Sequence, residues 1–82
     1  MDEKIGNIIE SLEELANDNT VPRNVKSKVE EIVSILKEEN GEDMSMKINK
    51  VLSTLDEISD DTNIQAYTRT QIWNIASLLE MI

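Results

Sequence analysis

Displaced by 43 residues, this chain aligns with itself: residues 1–39 lie on residues 44–82 without a gap. The pairs Met1/Met44, Lys4/Lys47, Ile5/Ile48, Leu12/Leu55, Glu14/Glu57, Asp18/Asp61, Ile32/Ile75, Ser34/Ser77 and Leu36/Leu79 are identical. Ile8/Val51, Leu15/Ile58, Val21/Ile64, Lys26/Arg69 and Val29/Ile72 match in kind. A repeat of this length is one helix–turn–helix unit whose apolar face needs another unit to cover it. Two units are too few for an open solenoid, so the two hairpins are expected to close on each other.

Apolar residues recur at helical spacing in four stretches. The first helix, about 3–17, places Ile5, Ile8, Ile9, Leu12, Leu15 and Ala16 on one stripe. The second, about 21–39, does so with Val21, Val25, Val29, Ile32, Val33 and Leu36. The third, about 44–59, uses Ile48, Val51, Leu52, Leu55 and Ile58, and the fourth, about 64–81, uses Ile64, Ile72, Ile75, Ala76 and Leu79. Between them lie short breaks. Asn17-Asp18-Asn19-Thr20 predicts a turn with Thr20 capping the second helix and Pro22 in its first turn. Asp60-Asp61-Thr62-Asn63 is expected to act likewise before the fourth helix. Asn40-Gly41 is expected to end the second helix, with Gly41 as a left-handed cap and Asp43 capping the third. Short connections imply antiparallel neighbours. The predicted fold is therefore all-α: one domain over residues 1–82, an antiparallel up-and-down four-helix bundle built from two repeated helical hairpins.

Composition narrows the function classes. The chain has no Cys and no His, which removes thiolate and imidazole ligands and the usual nucleophile–base pairs. No Gly-rich phosphate loop is present, and Glu14 and Glu57 point away from the stripe, so no di-metal carboxylate site forms inside the bundle. No enzyme, metal or cofactor is expected. Apolar runs are too short to span a bilayer, and Met1-Asp2-Glu3-Lys4 is unlike a signal peptide, so a cytoplasmic location is expected. The net charge of −9 is distributed periodically. Residues 1–18 carry six carboxylates against Lys4, and residues 40–61 carry six against Lys47 and Lys50. Such surfaces repel phosphate backbones, so neither nucleic acid nor anionic membrane is an expected partner.

Two places break from a purely structural reading. With both tight turns at one pole, the starts of the second and fourth helices are expected side by side. They bring Thr20, Arg23, Arg69 and Thr70 together as candidate anion contacts. Capping and ion pairing with Asp18, Asp60 and Asp61 is the simpler use of the same groups. Trp73, the sole tryptophan, stands where the first copy has Glu30. Its helical neighbours Ala66, Arg69, Ala76 and Glu80 replace Arg23, Lys26, Val33 and Lys37. An aromatic beside Arg among small residues is the composition of an interaction hot spot; the plainer role for Trp73 is to fold over the flank and cover core atoms. Ile35, Leu78 and Tyr67, on the opposite flank, are expected to complete the core, with a dimer contact as the alternative.

The segments Asp18-Asn19-Thr20-Val21-Pro22-Arg23-Asn24 and Arg69-Thr70-Gln71-Ile72-Trp73 resemble the signature segments of a small archaeal family of uncharacterised proteins, family 0147 of the UPF series. The similarity covers essentially the whole chain. Gln65 stands where that family's pattern carries Pro, so a proline at both hairpins is lost. The resemblance implies an all-helical, cytoplasmic archaeal protein and brings no catalytic residues with it. The expected function is a non-enzymatic interaction module binding a protein partner, or a second copy of itself, through Arg23, Lys26, Arg69 and Trp73. The alternative is an acidic regulator whose Glu10, Glu13, Glu14, Asp56 and Glu57 compete for the basic surface of a nucleic-acid-handling protein.

Overall fold

The computed structural model describes residues 3–38, 41 and 43–82. Four helices follow one another: α1 (Glu3–Ala16), α2 (Arg23–Lys37), α3 (Met44–Ser59) and α4 (Ala66–Glu80). Helix α1 packs on α2, α3 on α4, α2 on α3 and α1 on α4, while among the described residues neither diagonal pair meets. This is an up-and-down four-helix bundle, 35 Å along its longest axis and 20 Å across. A 15-residue helix is roughly 22 Å long, so the turns supply the remaining length.

The stripes face inward as the periodicity requires. Ile5, Ile8, Leu12 and Leu15 from α1 meet Val25, Val29, Ile32 and Leu36 from α2 in one buried cluster. Val51, Leu55 and Ile58 from α3 and Ile72, Ile75 and Leu79 from α4 complete it. Ala16, Val33, Ile48, Leu52 and Ala76 lie at its margin, half-buried.

The turns are built differently from their expected form. Thr20 does not cap α2. Its hydroxyl and its backbone N–H both donate to Asp18 Oδ1, at 2.7 and 2.9 Å. Asp61 Oδ1 likewise accepts from the Asn63 N–H, at 2.8 Å. These are paired Asx turns at equivalent places in the repeat. The N-cap positions fall instead on Pro22 and Gln65, neither of which makes a side-chain cap bond. Val21 and Ile64 lie just outside the helices yet are buried, so the apolar stripe outlasts the helical backbone by two residues at each start.

Between the repeats, Asp43 caps α3 as expected by accepting from the Ser45 N–H at 3.3 Å. Helix α2 ends earlier than expected, with Glu38 extended at its C-cap. Gly41 does adopt a left-handed φ of 80°, but in the connection rather than as the helix cap; Asn40 lies outside the described residues. Lys47, only 5% exposed, donates from Nζ to the Glu38 carbonyl. That contact satisfies a carbonyl at the exposed end of α2 with a cation, which suits the negative pole of the helix dipole.

Candidate functional site

Both tight turns do share a pole. The Asn24 side-chain amide at the start of α2 donates to Asp61 Oδ2 in the α3–α4 turn at 3.0 Å, tying one repeat to the other. The starts of α2 and α4, however, are not side by side. In an up-and-down bundle parallel helices occupy diagonal corners, and α2 and α4 are such a pair. Arg23 and Lys26 therefore sit on one corner, and Arg69 and Trp73 on the opposite one.

Most polar groups at this pole are directed at the protein itself. Arg69 Nε donates to the Ser59 carbonyl and Nη2 to the Asp61 carbonyl, each at 3.0 Å. The guanidinium fork thus caps the C-terminus of α3, where it also complements the helix dipole. The Thr70 hydroxyl donates back to the Ala66 carbonyl at 3.1 Å. Thr20 is held by Asp18, while Arg23 is exposed. Hydrogen bonds from Thr20 hold the Asp18 carboxyl below its ordinary value, with a smaller contribution from the nearby Lys26 charge. Donors from Asn63 and Asn24, helped by Lys28 and Arg69, do the same for Asp61. Of the four candidate anion contacts, Thr20, Arg69 and Thr70 thus bond within the protein, and Arg23 stands exposed.

Trp73 is arranged otherwise. It is 56% exposed and stands outside the buried cluster. It forms one wall of a groove of about 340 Å³ between α3 and α4, whose floor is Leu52, Leu55, Ile72 and Ala76. Asp56 and Glu80 stand at its edges. The equivalent groove between α1 and α2 measures about 200 Å³ and is lined by Glu13, Ala16, Asn17, Glu30 and Val33. Where the first copy has Glu30 and a small polar crevice, the second has Trp73 and a larger groove of mixed lining.

The opposite flank of α4 also differs from expectation. Ile35 is half-buried against the core, but Leu78 is 48% exposed and Tyr67 is exposed with it. The equivalence of Ile35 and Leu78 in sequence does not carry over to their burial. Of the acidic residues on α1 and α3, Glu13 pairs with Lys37 and Glu57 with Lys28, each at 3.6 Å. Such exposed pairs contribute little stability. Two buried polar residues, Lys47 and Thr68, escape a reading based on apolar spacing. Thr68 was detectable through its repeat partner Val25.

Fold and surface together define a small helical-bundle protein with an open, tryptophan-walled groove among its surface features. Residues 1–82 match the uncharacterised protein family UPF0147, and the chain belongs to that family. It is similar to MMP1188, a protein of unknown function with a crystal structure, at 38% identity and a TM-score of 0.90, over 98% of this chain and 90% of that one. It is also similar to a UPF0147 protein from Thermoplasma acidophilum, at 36% identity and a TM-score of 0.89, over 95% of this chain and 91% of that one. No curated protein matches the chain.

Proposed function

We propose that this protein is a non-enzymatic interaction module that holds a protein partner in the α3–α4 groove against Trp73. The single observation that carries this reading is the half-open tryptophan over an apolar floor. Met46, Tyr67, Leu78, Met81 and Ile82 are exposed as well, but Trp73 is the exposed hydrophobic that walls the α3–α4 groove, and an exposed apolar surface of this kind supports a contact with a partner. Tryptophan is the side chain most often found to dominate binding energy when a partner desolvates it. Arg23 and Lys26, on the diagonal corner, fall outside any patch centred on Trp73, so the interface narrows to α3 and α4.

Affinity capture from native extract tests this with three baits: wild type, Trp73→Ala, and Glu10→Lys/Glu14→Lys. Truncating a hot-spot tryptophan costs about 2 kcal/mol or more, roughly a 30-fold loss of affinity. Trp73→Ala is therefore expected to lose the proteins that wild type retains, while the α1 charge reversal keeps them. Recovery of the same proteins by wild type and Trp73→Ala, with loss on charge reversal, would replace this reading by the acidic regulator.

A further inference from the structure

We propose that the occupant of the Trp73 groove is a basic amphipathic helix of a partner protein, with an Arg or Lys placed over the indole between Asp56 and Glu80. The inference rests on the interaction reading above and adds the chemistry of the partner. The two grooves that the repeat makes equivalent differ at their edges. In the first, which Glu13 and Glu30 line, Lys37 reaches Glu13 at 3.6 Å and offsets one of the two carboxylates. In the second, the residue equivalent to Lys37 is Glu80 and the residue equivalent to Glu13 is Asp56. Both edges are now acidic, and among the described residues neither carboxylate has a cation within ion-pair distance.

The same substitution that leaves the edges uncompensated accompanies the exchange of Glu30 for Trp73. Arg69 bonds to Ser59 at one end of the groove, and beyond it the indole face and two flanking carboxylates favour a cation on an aliphatic stem. The floor of Leu52, Leu55, Ile72 and Ala76 accepts the apolar side of the same segment. Its lining residues recur every three or four positions on two antiparallel helices, the setting in which a third helix lays an apolar face into a groove. A second copy of this chain is the poorer occupant, because it would bring another net charge of −9 to an acidic edge.

The test uses the intact protein and two synthetic amphipathic helical peptides lacking tryptophan. One carries Arg beside its Leu stripe, and the other carries Glu at the same positions. Because Trp73 is the only tryptophan, its emission reports occupancy of the groove directly. The Arg peptide is expected to shift Trp73 emission to the blue saturably, and the Glu peptide to leave it unchanged. Asp56→Lys/Glu80→Lys should weaken the Arg peptide about tenfold or more, because the reversed edges repel it. Glu10→Lys/Glu14→Lys, which changes net charge equally on a different face, should weaken it by no more than about twofold. Melting curves of both variants check that the fold is kept.

An equal loss from both charge-reversal pairs would reduce the effect to bulk attraction and overturn the proposal. Equal binding of the two peptides would overturn it too, as would a silent Trp73 or a stable dimer that already covers the groove. A difference between the two peptides is separable from the interaction reading, which is tested by whether Trp73→Ala captures the wild-type partners.

Discussion

Asp18 and Asp61 show what identity across the repeat preserves. Each is a turn carboxylate that accepts the backbone N–H two residues on, and Asp61 also receives Asn24 from the other repeat. Hydrogen bonding to the charged form lowers both pKa values below the ordinary 3.8. For a carboxylate depressed in the folded state, the stabilisation is complete above the unfolded value and is lost as pH falls through the folded one. Asp61→Ala should therefore lower the urea midpoint by a constant amount above about pH 5, with the gap narrowing below about pH 4. A gap that does not change with pH would show that the carboxylate charge contributes nothing to the turn. Arg69 carries a related lesson. Its chemistry in sequence is that of an anion ligand, but its fork is committed to the α3 carbonyls, and no spacing rule reveals that.

Among the elements, α3 has the bounds that the sequence predicts, 44–59, because Asp43 provides a side-chain cap at the point where the stripe begins. The starts of α2 and α4 are later than predicted for one reason. Val21 and Ile64 continue the apolar pattern into the core from an extended backbone, and periodicity alone cannot separate a buried turn residue from a helical one. The repeat then offers a prediction. Pro22 and Gln65 hold nearly the same conformation, φ −56° and ψ 147° against φ −71° and ψ 154°. Among the described residues the Gln65 N–H donates no hydrogen bond. Gln65→Pro should therefore stabilise the protein by about 0.4–1 kcal/mol by restricting the unfolded chain. Calorimetry or denaturant titration reads this directly, and a loss of stability would show that the two hairpins are less alike than their dihedral angles.

At the scale of the whole molecule, closure of one hairpin on its twin leaves little margin, since a domain of this size is stable by on the order of 5–10 kcal/mol. Val29 and Ile72 are equivalent positions, 0% and 1% exposed, at the centre of that closure. A carboxylate at either site loses apolar burial and strands a charge, so Val29→Asp or Ile72→Asp should abolish the cooperative melt. A melt like that of wild type would contradict the inward placement of the stripes. The bundle was legible because its signal is periodic and duplicated. The strip around Trp73 was legible where duplication fails, at Trp73 against Glu30 and Glu80 against Lys37, but the groove beside it was not. Whether an exposed position lines a groove depends on the neighbouring helix, which no single stretch of sequence contains.

The proposed interface requires Trp73 to stand open to water until a partner covers it. Its emission and acrylamide quenching, measured on protein shown by sedimentation to be monomeric, test that most directly. A red, readily quenched emission that moves to the blue and becomes protected on complex formation is the predicted result. A monomer whose Trp73 is already blue-shifted and shielded from quencher would contradict it, leaving the indole as a cover for the core rather than a contact.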